Sequence, residues 1–202
     1  MIKEFKYIFP YWGPFLMKFK ITKEDCNWIL KEGKKFKNKS YTFHQRLPHM
    51  LEAGYTLDNQ KGFIKQFGSY FDGYIEKYNT IWNVNQRIKK WELDSLWVNF
   101  MQKGDFAAPH THSNYLSFVF YPKVSKKIKE ENKKYEGVSS GPGTIEFFNS
   151  VKNTNDLDIS TYHFLPEDGD AVIFPATLLH CVYPFYSNSE RISLSGNLKI
   201  KL

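Results

Sequence analysis

Along this chain the apolar and polar positions follow two periods in turn. From Asp58 onward the period is helical: Phe63, Ile64, Phe67, Tyr70, Phe71, Tyr74, Ile75 and Tyr78 share one broad face, with Lys61, Lys65, Gln66, Asp72 and Glu76 largely opposite. Such a stripe predicts an amphipathic helix packed on a sheet, its aromatics serving as core side chains and not as a ligand box. After Trp91 the period becomes two. Leu93–Met101, Tyr115–Tyr121, Thr144–Phe148, Ile159–Leu165, Ala171–Phe174 and Arg191–Ile200 alternate as strands do. Turn signals separate them at Lys103-Gly104-Asp105, at a Lys-rich loop over 123–137, at Gly141-Pro142-Gly143, at Pro166 to Gly169 and at Pro184 to Asn188.

Ahead of the long helix the signals are shorter. Residues 1–21 carry alternating aromatic and aliphatic positions around Pro10 and Gly13-Pro14, which predicts two short strands and a turn. Thr22 and Asp25 stand at the spacing of a capping box, and a helix is expected through Trp28, Ile29 and Phe36, ending around Gly33 or slightly beyond. Residues 40–57, with Leu47-Pro48 and Gly54, read as a loop. Helices followed by many short strands argue an α+β chain ending in a β-barrel or jelly-roll, with the N-terminal helices packed on the sheet. No repeat or linker interrupts it, so residues 1–202 are expected to form a single domain. Within it, 1–90 would be helical and strand support and 91–202 the β core.

Composition changes this picture little. Hydrophobic residues make up 42% and aromatics 18%, enough for a packed interior. A net charge of +7 invites a nucleic-acid partner. The excess, however, lies in Lys runs mixed with Glu and nearly free of Arg, as in a solvated helix face or surface loop, so nucleic acid is not the expected partner. No run of about 18 apolar residues is present, so no membrane helix is expected. The first ten residues lack the apolar core of a signal peptide, and Cys26 and Cys181 do not make a disulfide framework. A cytoplasmic location is the expectation.

Chemistry concentrates in Pro109-His110-Thr111-His112. Histidines at i and i+2 of an extended segment face the same way, so both imidazoles can reach one metal ion. His180, at the end of the apolar strand Ala171–His180, is a third donor; iron, zinc, copper and nickel all accept such a set. His44, His49 and His163 lack that context and read as structural, and Cys181 beside His180 reads as a small core residue. Asn99 stands among large apolar neighbours on one face of its strand. Arg191, Ser193, Ser195 and Asn197 form a polar row opposite Ile192, Leu194 and Leu198. Such a row either faces water or lines a barrel lumen, where an Arg fork suits a carboxylate.

Several segments carry a family resemblance: Asn99-x-Met101-x-x-Gly104, Pro109-His-Thr-His112, Leu116-Ser-Phe-Val-Phe-Tyr121, Gly141-Pro-Gly-Thr-Ile145, Glu167 to Pro175, Leu179-His180-x-Val182-x-Pro184-Phe185 and Arg191-Ile-Ser-x-Ser-Gly-Asn197. Over residues 91–200 the chain resembles the 2-oxoglutarate- and Fe(II)-dependent oxygenases, in particular a branch found in bacteria and marine bacteriophages. The resemblance implies a double-stranded β-helix, the jelly-roll or cupin-like barrel. In it His110 and His180 bind Fe(II), and Arg191 with Ser193 binds the distal carboxylate of 2-oxoglutarate. Asn99 and Tyr121 would stand in the same cosubstrate pocket. It implies a dioxygenase that uses O2 and 2-oxoglutarate to hydroxylate a C–H bond, releasing succinate and CO2. By analogy with related branches the substrate is a prolyl or other amino-acid side chain of a peptide or protein; a small molecule is the other option. One position departs from the pattern. The common motif is His-x-Asp/Glu, and here position 112 is His; three histidines leave the ion's charge uncompensated before cosubstrate binds. His112 is the expected third ligand, with Asp105 as the alternative carboxylate. The rival reading is a cupin-like metal- or ligand-binding module without oxygenase activity, which gives Arg191-x-Ser193 no role. Whether the chain is a monomer or a homodimer, and whether the 123–137 loop covers substrate or stays in solvent, are left open.

Overall fold

The computed structural model describes residues 13–36, 49–50, 54–81, 87–149 and 160–202. In chain order the elements are β1 (Met17–Lys20), α1 (Lys23–Phe36), β2 (His49–Met50), β3 (Gly54–Thr56), α2 (Gln60–Ile81), β4 (Lys90–Met101), β5 (Phe106–His110) and β6 (Leu116–Val124). They continue with α3 (Lys126–Lys133), β7 (Ile145–Phe148), β8 (Thr161–Phe164), β9 (Asp170–Pro175), β10 (Leu179–Val182) and β11 (Arg191–Lys201). Two sheets result. The larger runs β1-β9-β6-β11-β4-β3, the smaller β2-β5-β10-β7-β8, and every strand pair is antiparallel. This is the α+β jelly-roll expected from the pattern.

The alternation in the larger sheet divides its side chains between two cores. Leu96, Val98, Phe100, Phe118, Phe120, Ala171, Ile173, Ile192 and Leu194 point outward, where Phe63, Phe67, Phe71 and Tyr74 of α2 and Ile29 of α1 cover them. Met101, Val119, Tyr121, Val172 and Phe174 point inward and meet Ile145 and Phe147 of the smaller sheet. The helices therefore plug one side of the large sheet and leave its other side free to line the space between the sheets. The aromatic stripe of α2 is core, as its period predicts: Phe63 stacks on Phe118 at 5.4 Å and Phe71 meets Phe118 at 4.9 Å. Gly196 marks a close approach within the large sheet, because a Cβ there would overlap the Phe118 ring and Ser95 O.

The expected capping box closes α1 reciprocally. Thr22 N–H donates to the Asp25 carboxylate and Asp25 N–H to Thr22 Oγ1, both at 3.1 Å. The helix runs to Phe36, as expected from sequence. Gly33 packs within van der Waals range of Val98, so a residue without a side chain marks a close helix–sheet contact and not a stop. Three expectations are corrected. Within the 40–57 loop, His49–Met50 pairs with β5 and Gly54–Thr56 pairs with β4. Within the Lys-rich loop lies α3, capped by Ser125 and anchored by the fully buried Ile128. Finally, Ala171–His180 is not one strand. The chain turns at Pro175–Leu178, with Leu178 N–H donating to Pro175 O, so that β9 joins the large sheet and β10 the small one. Of the two strands expected in residues 1–21, β1 is the second; the first lies outside the described residues.

Candidate active site

β5 and β10 pair so that His110 and His180 stand directly opposite each other. Side chains so placed share a face of the sheet a few ångströms apart, and the ring centroids are 4.3 Å apart. The register slips by one residue between this pair and Val182–Ala107, and Pro109, which has no N–H to give a ladder, sits within the slip. His112 lies past the strand end. The turn between β9 and β10 holds it there: His112 N–H donates to Ala176 O at 2.8 Å and Ala176 N–H to Tyr115 O at 3.0 Å. Its ring centroid is 5.0 Å from that of His110 and 5.2 Å from that of His180. One nitrogen from each of the three rings falls within 4.8 Å of the others.

The backbone fixes two of the rings. His110 Nδ1 is 2.7 Å from Ala108 O and His180 Nδ1 is 2.8 Å from Leu178 O. A carbonyl only accepts, so both Nδ1 atoms carry the proton and each Nε2 keeps its lone pair. Phe147 and Phe174 pack on His180, and Trp97 on His112. Burial lowers the pKa of His110; burial and the neighbouring His110 lower that of His112 to about 4. His110 and His112 are thus neutral at physiological pH, in the state that donates to a first-row divalent ion. Asp105 does not join them. Its buried carboxylate accepts Gln102 N–H at 2.8 Å, closing its own turn, and its charge acts on Arg191. His163 is exposed on β8, the side chain of His49 is not described, and His44 lies outside the described residues. Cys181 is buried, and burial together with Glu146 pushes its thiol up to about 11, as for an unreactive core residue.

The three histidines open onto a cavity between the sheets whose far wall is the inner face of β4, β6 and β11. Asn99, Tyr121, Arg191, Ser193 and Ser195 all line it. The polar row of β11 thus faces a lumen and not water. The cavity offers about 70 Å³ to the centres of water molecules, several times what one water requires, about 10–15 Å³. Arg191 is 2% exposed. Its Nη1 donates to Gly143 O at 2.6 Å, its Nη2 to Met101 Sδ, and its face covers the Tyr121 ring at 5.5 Å. Its Nε has no partner, nor has Oδ1 of Asn99, whose amide donates weakly to Ser193 Oγ at 3.4 Å. A buried guanidinium with an open edge could take an anion such as a carboxylate at this end of the cavity, in addition to the nearby charge of Asp105. Burial pushes the Tyr121 phenol up to about 12, keeping it neutral beside that cation. Sequence reasoning missed Trp97, Gly143 and the two phenylalanines around His180 as site residues. Gly141-Pro142-Gly143 is the one signal that could have pointed to an acceptor for Arg191.

Comparison with known proteins decides the chemistry. A family model described as "Putative 2OG-Fe(II) oxygenase" matches residues 95–197, a span that holds the histidine cluster and Arg191. The chain belongs to this family. It is thus an Fe(II)- and 2-oxoglutarate-dependent oxygenase, with 2-oxoglutarate and O2 as cosubstrates. No curated protein matches the chain in sequence. Solved structures share the fold. The viral collagen prolyl hydroxylase of Paramecium bursaria Chlorella virus-1, in its 2-oxoglutarate complex, aligns with a TM-score of 0.56 at 12% identity, over 91% of this chain and 94% of that one. A Pseudomonas putida prolyl-4-hydroxylase gives 0.53 at 15%, over 93% of each chain. A Trichoplax adhaerens prolyl hydroxylase, bound to a peptide fragment of hypoxia inducible factor, gives 0.56 at 14%, over 93% and 83%. At these identities the likeness is one of fold, the double-stranded β-helix. Among the described residues no helix is long and apolar enough to cross a membrane.

Proposed function

We propose that this oxygenase hydroxylates a C–H bond of a prolyl or other amino-acid side chain in a peptide or protein, with succinate and CO2 as coproducts. His110, His112 and His180 would hold the iron, through Nε2 in the case of His110 and His180, whose Nδ1 protons are committed to backbone carbonyls. Arg191 and Ser193 would take the distal carboxylate of 2-oxoglutarate, with Asn99 and Tyr121 beside it. When bound, the iron supplies oxygen activation coupled to decarboxylation of the cosubstrate. The protein's own part is geometric. Ala108 and Leu178 orient two rings, Phe147 and Phe174 exclude water from behind His180, and the guanidinium sets which way 2-oxoglutarate lies.

The observation that carries this reading is Arg191, buried in the same cavity as the histidine cluster with its Nε unpartnered. A cupin-like binding module without oxygenase activity offers no reason to bury that cation. The peptide substrate draws its support from the prolyl hydroxylases that share the fold, one of them solved with a peptide. Under anaerobic conditions Fe(II) with 2-oxoglutarate should give the protein a weak visible charge-transfer band, and Arg191→Ala should abolish it. Absence of the band, together with no substrate-uncoupled succinate formation in air, would sink the assignment. Mass spectrometry of cells expressing the chain, compared with His180→Ala, would then identify a peptide gaining one oxygen.

A further inference from the structure

The Lys-rich helix α3 lies outside the cavity but is tied to the groups that hold Arg191. Its one fully buried residue, Ile128, lies beneath the turn at Gly141–Thr144. A Cβ on Gly143 would come 2.5 Å from Ile128 Cγ2, and the backbone there has a φ of +73°, so glycine is required twice over. One turn later, Asn132 Nδ2 donates to Pro142 O at 2.8 Å and to Thr144 Oγ1 at 3.1 Å. It therefore grips the chain on both sides of Gly143. Thr144 Oγ1 in turn donates to Ser140 O at 2.8 Å, and Gly143 N–H to Pro184 O at 3.2 Å. Next to Asn132, the Glu131 carboxylate accepts the N–H groups of Tyr186 and Ser187, each at 2.7 Å. Those residues lie in the loop that leads into β11, whose first residue is Arg191.

One short helix thus holds both the backbone that delivers Arg191 and the carbonyl, Gly143 O, that its Nη1 meets. That carbonyl fixes the rotation of the guanidinium. With Nη1 committed, the edge bearing Nε is the one left for a ligand. A peptide group held by one acceptor bond would swing; held by Asn132 on both flanks and by Ile128 below, it cannot.

We infer that Asn132, supported by Glu131, is a positioning residue for 2-oxoglutarate: through Gly143 O it aims the Arg191 guanidinium at the cosubstrate's distal carboxylate. The inference rests on the assignment of Arg191 proposed above. It makes α3 part of the cosubstrate site and not a solvent loop or a cover over substrate.

The test uses the full chain with Fe(II) under anaerobic conditions, the charge-transfer band being titrated with 2-oxoglutarate and, separately, with pyruvate. Pyruvate presents the same 2-oxo acid to the metal but has no distal carboxylate. In Asn132→Ala the half-saturation for 2-oxoglutarate should rise about tenfold, the scale of one lost hydrogen bond. That for pyruvate should stay within about twofold, and Lys133→Ala, on the exposed side of α3, should change neither. A merely structural role would weaken both ligands alike. An unchanged half-saturation for 2-oxoglutarate, or an equal rise for pyruvate, overturns the inference. Should Asn132→Ala fail to fold, as thermal unfolding would reveal, Glu131→Ala carries the same expectation and the same overturning results. The Arg191→Ala arm separates the two levels: if that variant binds 2-oxoglutarate as the wild type does, the assignment of Arg191 fails, whatever α3 does.

Discussion

At the scale of single residues, the site depends on backbone carbonyls that aim side chains. Ala108 O and Leu178 O each stand two residues before the histidine they orient, and Gly143 O does the same for Arg191 from a distant turn. His112 has a different support, its own N–H being pinned to Ala176 O. On the proposed assignment, His112→Ala should weaken Fe(II) binding by more than the roughly 10–100-fold typical of losing an outer-shell partner. His112→Asp, which restores the carboxylate of the commoner pattern, should keep the metal; equilibrium dialysis of Fe(II) under anaerobic conditions would measure both. If His112→Ala binds Fe(II) as tightly as the wild type, that residue is not a ligand. The convergence of His110 and His112 was legible from a spacing of two. Which ring nitrogen turns inward was not, because it depends on carbonyls whose direction only the folded backbone sets.

Among the elements, strong periodicity was readable and weak periodicity was not. The stripe of α2 and the alternation of β4, β6 and β11 are visible in the sequence because many side chains vote for one face. α3 commits a single apolar residue, Ile128, to the core, and one residue has no period. Its Ser125 cap was the remaining signal, hidden among lysines. The stretch Ala171–Leu179, apolar but for Thr177, could not reveal where β9 stops and β10 starts, since so nearly unbroken an apolar run carries no register. The pairing of α1 with α2 offers a stability test. Asp25, 3% exposed, accepts Thr22 N–H, Gln66 Nε2 at 2.6 Å and the Tyr70 hydroxyl at 2.7 Å. Burial alone would raise its pKa, but these bonds bring it below the ordinary value. Asp25→Ala should cost about 2–3 kcal/mol, the range for hydrogen bonds to a charged group left unmade, read as a lower denaturation midpoint. A depressed folded pKa means that the charged form's contribution is complete above its unfolded value, about 3.9. It is lost as pH falls through the folded one, so the gap between variant and wild type should narrow in acid. A gap that widened below pH 4 would contradict this account.

For the molecule as a whole, each sheet contributes a different half of the site. The small sheet carries His110 and His180, and the large sheet carries Asn99, Tyr121, Arg191 and Ser193. The jelly-roll was legible from helices followed by strands; that its two leaves divide the chemistry was not, because sheet membership follows from pairing and the sequence shows only alternation. The division has a mechanical consequence. A 2-oxoglutarate chelated at one end and held by Arg191 at the other would act as a tie-rod between the leaves, so separation of the sheets would have to break it first. Amide hydrogen exchange in β5, β10 and β11 should therefore slow more with Fe(II) and 2-oxoglutarate together than with either alone, and a chelator should restore the faster rate. Exchange unaffected by the pair would mean that the leaves do not breathe against each other. If it slows as expected, the emptied protein is the looser one, and each turnover of the proposed reaction, by breaking down the tie-rod, would release the sandwich for the next exchange of ligands.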